Sequence, residues 1–195
     1  MTGELISRQS NRLIFSIVIP GFIGLFPWLL LLLKNFKQEL DGFDNTLLLF
    51  VFLIFSMAFG LVFHLIGVKI ELEIDEIIKK CCDPDFDNVW QNYLSLEIKN
   101  IDNVRKKYMS FLIDRYQYQL NMIPSLVIAL TGLFFFLDQM NWQAYHVVFF
   151  ELVGLGLIVF LIRECYYVAT LLHKNRKSII IEASEAKQTG CGRKH

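Results

Sequence analysis

Residues 46–68, TLLLFVFLIFSMAFGLVFHLIGV, decide the fold. This stretch contains no Lys, Arg, Asp or Glu, and about 20 apolar residues suffice for a helix to cross the hydrocarbon core of a bilayer. Residues 13–33, 116–137 and 145–162 share this character, and the three together contain one charged residue, Glu151. The sequence therefore predicts an all-α membrane protein with four transmembrane helices.

The composition agrees with this class. Of 195 residues, 54% are hydrophobic and 19% are charged, which leaves room for only one hydrophilic insert between the spans. Such a chain is not typical of a soluble enzyme, a nucleic-acid-binding domain or a secreted disulfide scaffold. The first apolar stretch is also too long for a signal peptide and is followed by no small-x-small cleavage site, so we expect it to be a retained anchor.

The basic residues between the spans predict the orientation. If both termini and residues 69–115 lie in the cytoplasm, 17 Lys and Arg residues are inside and 2 are outside. The positive-inside rule then predicts a multi-pass protein of the bacterial inner membrane with cytoplasmic N- and C-termini. Disulfides are not expected, because all four cysteines would lie at or beyond the cytoplasmic face.

The hydrophilic sequence divides the chain into four parts. Residues 1–68 form an N-terminal arm and a first hairpin of spans, and residues 69–115 form a cytoplasmic helical segment. Residues 116–172 form a second hairpin with a helical extension, and residues 173–195 form a tail in which 178–181 could add a short element. The prediction is a membrane bundle with a helical stalk.

The stalk is expected to contain a helix break. Span two continues as a helix out of the membrane until Asp83 and Pro84, because proline cannot extend the helical hydrogen-bond ladder. Asp85 or Asp87 is then a candidate N-cap for a second helix. No Pro or Gly follows in the stalk, so we expect this second helix to run unbroken into span three as far as Pro124.

The second stalk helix carries a heptad-like pattern of apolar and aromatic residues. We predict contacts with a partner protein or between subunits at five of its residues: Trp90, Tyr93, Leu94, Tyr108 and Phe111. The alternative is that these residues only pack the helix onto residues 70–78 of the same chain.

No short motif in the chain names a reaction. Phosphate-binding loops, dinucleotide fingerprints, zinc-protease motifs and nucleophile elbows do not occur in the sequence. The acidic run 83–87 resembles the start of a calcium loop, but Asn88 and Leu94 stand where that loop requires Gly and Glu. We therefore expect a non-enzymatic protein with no catalytic residues, no cofactor, no metal and no direct contact with nucleic acid.

Glu151 is the most informative single residue, because a carboxylate inside a span costs about 3 kcal/mol on insertion scales. Counting from the ends of the spans places it about 9 Å below the outer edge, at the depth of Thr131 and Trp28. We predict an intramembrane polar site in which one of these two residues hydrogen-bonds Glu151. The site would hold a proton or cation or form a ring of carboxylates, or Glu151 would be a protonated packing residue.

Span one carries Pro20, Gly21, Gly24 and Pro27. Because the two prolines lie one heptad apart, we expect a bent helix and a hinge at Pro20, Gly21 and Pro27. Close packing through the glycines is the alternative.

The layout of the whole chain resembles KwaA, the family of membrane subunits of Kiwa anti-phage defence systems. The resemblance covers the length near 195 residues, the four spans with both ends inside, the short outer loops and the helical segment 69–115. It implies a homotetramer of the inner membrane that detects phage-caused disturbance of the lipid and signals to KwaB, a cytosolic DNA-binding partner. The resemblance transfers no individual functional residue.

Three functions stay open from the sequence. The first is a non-enzymatic, oligomeric sensor or scaffold of a defence system with a cytosolic partner. The second is a small ion channel or proton-coupled transporter that uses Glu151. The third is an effector that depolarises the host membrane after infection.

Overall fold

The computed structural model describes residues 14–36, 44–81, 83–95 and 103–191, and these residues form no β-strand. One turn of π-helix, Ile14–Val18, precedes the first α-helix. The α-helices of the described residues are α1 Ile19–Asn35, α2 Asn45–Cys81, α3 Phe86–Ser95, α4 Asn103–Gln139 and α5 Ala144–Cys191.

Each of the four apolar stretches of the sequence lies in one of the four long helices. Ser16–Asn35, α2, α4 and α5 are each long and apolar enough to cross a membrane. The prediction of an all-α fold with four such helices is therefore confirmed. Three of them, α2, α4 and α5, also extend beyond the apolar stretch into hydrophilic sequence.

The chain divides into two compact units. We call Met1–Ile70 with Gln117–Glu164 the span unit, and Glu71–Tyr116 with Cys165–His195 the stalk unit. The span unit contains the apolar stretches. The stalk unit contains α3 together with the hydrophilic parts of α2, α4 and α5.

Glycines in the span unit let helices meet backbone to backbone. A Cβ added to Gly21 of α1 would overlap the carbonyl oxygen of Ser56 in α2, and a Cβ added to Gly60 of α2 would overlap the carbonyl oxygen of Ile17. Side chains cannot fit at such crossings, and close approach through small residues is the usual way in which transmembrane helices gain packing contacts.

The stalk unit has a core of its own that draws on all four of its helical segments. Its buried hydrophobic side chains are Ile74 and Ile78 of α2, Phe86 and Val89 of α3, Met109, Leu112 and Tyr116 of α4, and Cys165, Val168, Ala169, Leu172 and Ile179 of α5. On α5, Cys165, Val168, Leu172 and Ile179 follow one another at spacings of three, four and seven, which keep them on one side of the helix.

The helix break in the stalk lies where the sequence predicted it. Helix α2 ends at Cys81, and α3 begins at Phe86, directly after Asp85. The N-cap position therefore belongs to Asp85 rather than to Asp87. The predicted continuity between this helix and span three falls on residues 96–102, which lie outside the described residues, and α4 passes through Pro124 without ending.

The tail prediction was wrong. Helix α5 continues without interruption to Cys191, so 178–181 belongs to this helix and is not a separate element. The physical reason is that no Gly or Pro occurs between Gly156 and Gly190. The apolar side of α5 also continues past Leu172 to the buried Ile179.

Candidate functional sites

The predicted hinge residues of α1 lie in a packed interface of the span unit. Pro20, Gly21 and Pro27 are all buried. Because Pro20 has no N–H, it cannot donate to the carbonyl of Ser16 in the α-helical pattern. The side-chain amide of Asn121 in α4 donates a hydrogen bond to that carbonyl instead. Motion at the hinge stays a prediction.

Further hydrogen bonds join α1 to α4 in the same register. The Ser125 hydroxyl donates to the carbonyl of Pro20 at 2.5 Å. At the other end of both helices, the Lys34 ammonium donates to the carbonyl of Gln139 at 2.6 Å. These pairs, like that of Asn121, are each 105 residues apart, so the two helices run parallel.

Trp28 adds a bond to this parallel pair. Its indole N–H donates to the carbonyl of Ile128 at 3.1 Å. A Cβ on Gly132 would lie 2.7 Å from the same indole nitrogen, so the glycine makes room for the ring. This series of hydrogen bonds was not predicted from the sequence. Its only signal there is a pair of polar residues four positions apart in a span, Asn121 and Ser125.

Glu151 lies on the protein-facing side of α5. It is half-buried and stands three residues before the buried Gly154, whose missing side chain leaves room for Leu130 of α4. Its Oε1 atom is buried and has no hydrogen-bond partner among the described residues. An uncompensated buried polar atom is costly. The proton or cation site and the protonated packing residue both stay predictions for Glu151.

The two predicted partners of Glu151 use their donor hydrogens elsewhere. The Thr131 hydroxyl donates to the carbonyl of Val127 in its own helix at 2.9 Å, and the Trp28 indole donates to Ile128. The expected hydrogen bond to Glu151 is therefore not formed, because helix carbonyls accept the hydrogen of each donor.

In the stalk unit, Asp83 holds the turn between α2 and α3 against α5. Its Oδ2 atom lies 2.9 Å from His173 Nε2 and also accepts a hydrogen bond from the Lys177 ammonium. Its Oδ1 atom accepts the backbone N–H of Asp85 at 3.1 Å. The hydrogen bonds from His173 and then from Lys177 hold the pKa of Asp83 well below its usual range.

Aromatic rings extend this contact. The Phe86 ring stacks on the His173 imidazole with centroids 4.8 Å apart. One helical turn further along α5, the Arg176 guanidinium lies 3.9 Å from the centroid of the Trp90 ring, which in turn stacks on Tyr93. Two of the five predicted contact residues are thus partly engaged within the chain, Trp90 through a cation–π interaction with Arg176 and Tyr93 through stacking on Trp90.

The other three predicted contact residues point away from the core. Leu94 is 65% exposed, Phe111 is 59% exposed and Tyr108 is 47% exposed. The alternative that they only pack onto residues 70–78 does not account for these values. They lie outside the apolar stretches, so the lipid that would cover exposed residues of the spans is not expected to cover them.

These features indicate a class of protein, but they do not by themselves indicate a function. The four span-length helices and the carbonyl-directed hydrogen bonds are consistent with a multi-pass membrane protein. Among the described residues, no group of three His, Cys, Asp or Glu side chains is placed to hold a metal ion. No protein-family model, no curated protein and no solved structure matches this chain.

Proposed function

We propose that the protein is a non-enzymatic, oligomeric sensor or scaffold of the bacterial inner membrane that relays membrane disturbance to a cytosolic partner. Its N- and C-termini lie in the cytoplasm, as the distribution of basic residues indicates. The observation that carries the proposal is the exposure of Leu94, Tyr108 and Phe111 in the stalk unit.

An exposed apolar side chain can be covered by lipid or by another protein. Exposed hydrophobic residues of the spans contact lipid, and they are abundant on α2 and α5. A stalk in the cytoplasm has only water or another protein beside it. Neighbouring exposed apolar residues outside a membrane mark interaction sites, and Tyr108 and Phe111 are neighbours because they lie three positions apart on α4. Aromatic anchors such as Phe111 and Tyr108 are typical of the centre of such interfaces.

The resemblance to KwaA supports a more specific version of the proposal. In that version the chain forms a homotetramer of an anti-phage defence system, and the stalk binds a cytosolic protein such as KwaB. The stimulus is phage-caused disturbance of the lipid. Any contact with DNA belongs to the partner.

Intact-mass determination of the affinity-purified, detergent-solubilised protein from its native host tests the proposal. We expect a tetramer carrying a soluble partner. The variants Leu94→Ser and Phe111→Ser should lose the partner or the tetramer, and Lys174→Ser, an exposed polar change in the same unit, should retain both. A monomer or dimer with no partner in the wild type would overturn the proposal.

A second function is favoured by Glu151 alone. A half-buried carboxylate with an unpartnered oxygen on the protein-facing side of a span suits a small ion channel or a proton-coupled transporter. This function predicts that Glu151→Gln abolishes ion or proton flux in liposomes. The same change at the exposed Glu182, which lies on the same helix beyond the apolar stretch, should leave that flux unchanged.

A further inference from the structure

A polar residue interrupts the apolar side of α5 in the stalk unit. Cys165, Val168, Leu172 and Ile179 are buried and follow one another at spacings of three, four and seven. Asn175 takes the position that this spacing leaves between Leu172 and Ile179. Its Nδ2 atom is buried and has no hydrogen-bond partner among the described residues.

A cavity lies beside this amide. Its volume is about 170 Å³, and its lining consists of Tyr108 and Met109 of α4 with Asn175, Ser178 and Ile179 of α5. Tyr108 is 47% exposed and Ser178 is also exposed, so the cavity opens to the surface, and its volume is enough for one ring-sized molecule. The lining residues carry no charge.

The lining residues indicate which kind of molecule the cavity can bind. The amide nitrogen of Asn175 only donates, so the missing group is a hydrogen-bond acceptor. Ser178 does not supply it within the chain, because Asn175 Nδ2 has no hydrogen-bond partner among the described residues; the Ser178 hydroxyl donates to Glu182 at 3.4 Å. Met109 and Ile179 offer an apolar surface, while an ion would find no opposite charge among the lining residues.

We propose that this cavity binds a small, neutral, carbonyl-bearing molecule of about the size of one ring, whose oxygen accepts a hydrogen bond from Asn175. The apolar part of the molecule lies against Met109 and Ile179. The site shares Tyr108 with the surface on which the proposed function rests, but it needs no partner and no second subunit. Asn175→Asp leaves Tyr108 unchanged, so the two proposals can fail separately.

Binding of benzamide to the full-length protein in lipid nanodiscs tests the site. We expect saturable binding in the millimolar range by saturation-transfer NMR, together with a shift of the Asn175 side-chain amide signal. That signal is identified by its loss in Asn175→Asp. Toluene, which has the ring but no acceptor, should bind at least tenfold more weakly, since one net hydrogen bond corresponds to about tenfold in affinity.

Two pairs of variants locate the binding. Asn175→Asp keeps the shape and removes the donor, so it should weaken benzamide binding about tenfold, and Asn92→Asp makes the same change at an exposed site of α3 and should leave it unchanged. Ile179→Phe fills the cavity and should abolish binding. Ile181→Phe makes the same change at a residue that is 54% exposed and should not.

Three results would overturn the proposal. Equal benzamide binding by the wild type, Asn175→Asp and Ile179→Phe would place the molecule elsewhere. Absence of saturable binding would mean that water alone fills the cavity. An Asn175 signal that shifts with protein concentration and not with benzamide would identify a second copy of the chain as the occupant.

Discussion

The span unit and the stalk unit use their polar side chains in different ways. In the span unit, Asn121 and Ser125 donate to backbone carbonyls of α1, and Trp28 of α1 donates to a carbonyl of α4. In the stalk unit, Asp83 binds the side chains of His173 and Lys177. One unit pairs side chain with backbone, and the other mainly pairs side chain with side chain.

The difference follows from the solvent that each unit is expected to have. Hydrocarbon offers no hydrogen bonds, so every backbone carbonyl that a proline leaves without its helical donor needs a protein partner. Water competes with exposed ion pairs of the stalk, such as that between Lys79 and Asp87, and lowers their contribution to stability to about 0–1 kcal/mol. Substitutions at the helix contacts of the span unit should therefore cost more than substitutions in the exposed ion pairs of the stalk.

The largest effect is expected where two backbones meet. Gly21→Ala should lower the free energy of unfolding by about 3 kcal/mol or more, because the new Cβ would overlap backbone atoms of Ser56 and Gly60, which cannot rotate away. Gly156→Ala is the matched control, since nothing lies within 4 Å of its Cβ position. It should be neutral or stabilising by up to about 1 kcal/mol. Thermal unfolding in detergent measures both, and equal stabilities would contradict the packing.

A smaller loss of stability is expected when Asn121, whose side-chain amide donates to the Ser16 carbonyl, is replaced. Asn121→Leu should cost about 1–3 kcal/mol, because the Ser16 carbonyl loses the donor that replaces the missing N–H of Pro20. Pro20→Ala restores a backbone N–H, so the cost of Asn121→Leu should be lower in that background. A double-mutant cycle on the unfolding free energy measures this coupling. Strictly additive effects would show that the amide has another role.

The contribution of the Asp83 contact to stability should depend on pH. The folded stalk lowers the pKa of Asp83, so the ionised form stabilises the fold at pH values above the ordinary pKa of about 4. That contribution is lost as the pH falls further, towards the lowered pKa. The difference in unfolding temperature between the wild type and Asp83→Asn should therefore be greatest near pH 7 and shrink below about pH 4.

Unfolding of the stalk unit can be measured separately by ¹⁹F NMR of 5-fluorotryptophan at Trp90. The Trp90 signal is identified by its loss in Trp90→Phe. Asp87→Asn is the control, because Asp87 forms an ion pair with Lys79 in which both side chains are exposed. If the difference in unfolding temperature between the wild type and Asp83→Asn stayed constant from pH 7 to pH 2, the ionisation of Asp83 would not contribute to stability.

The smallest effect on stability is expected at the exposed stalk residues. Leu94→Ala should change the unfolding free energy by less than about 0.5 kcal/mol, while the same substitution at Leu112, which is 2% exposed, should cost about 2–5 kcal/mol. Chemical unfolding of the purified protein measures both changes. A large cost at Leu94 would show that this residue belongs to the core of a single chain.

The sequence was most informative where one residue or one stretch decides the outcome. The absence of charge in residues 46–68 was enough to predict a span, and Pro84 was enough to predict the end of α2. The α1–α4 pairing escaped prediction because it depends on which helices become neighbours. Asn121 could be recognised as unusual in a span, but nothing local connects it to Ser16.

The stalk shows the same division. Asp85 was predictable as a cap from its position after Pro84, whereas the contact of Asp83 with His173 joins residues 90 positions apart. The length of α5 could not be predicted, because the helix after Leu172 is stabilised by the helices against which it packs. Burial of Ile179 and of its neighbours needs the other stalk helices to be present.

The parallel pairing of α1 and α4 also affects how the chain is made. At about 5–20 residues per second, a ribosome adds Asn121 and Ser125 roughly 5 to 20 s after Ser16 and Pro20, because the partners are 105 residues apart. During that interval the first span has none of its α4 contacts. Until α4 has been synthesised, an insertion factor or the wall of the translocation channel would have to keep the Ser16 carbonyl and the proline turn out of contact with hydrocarbon.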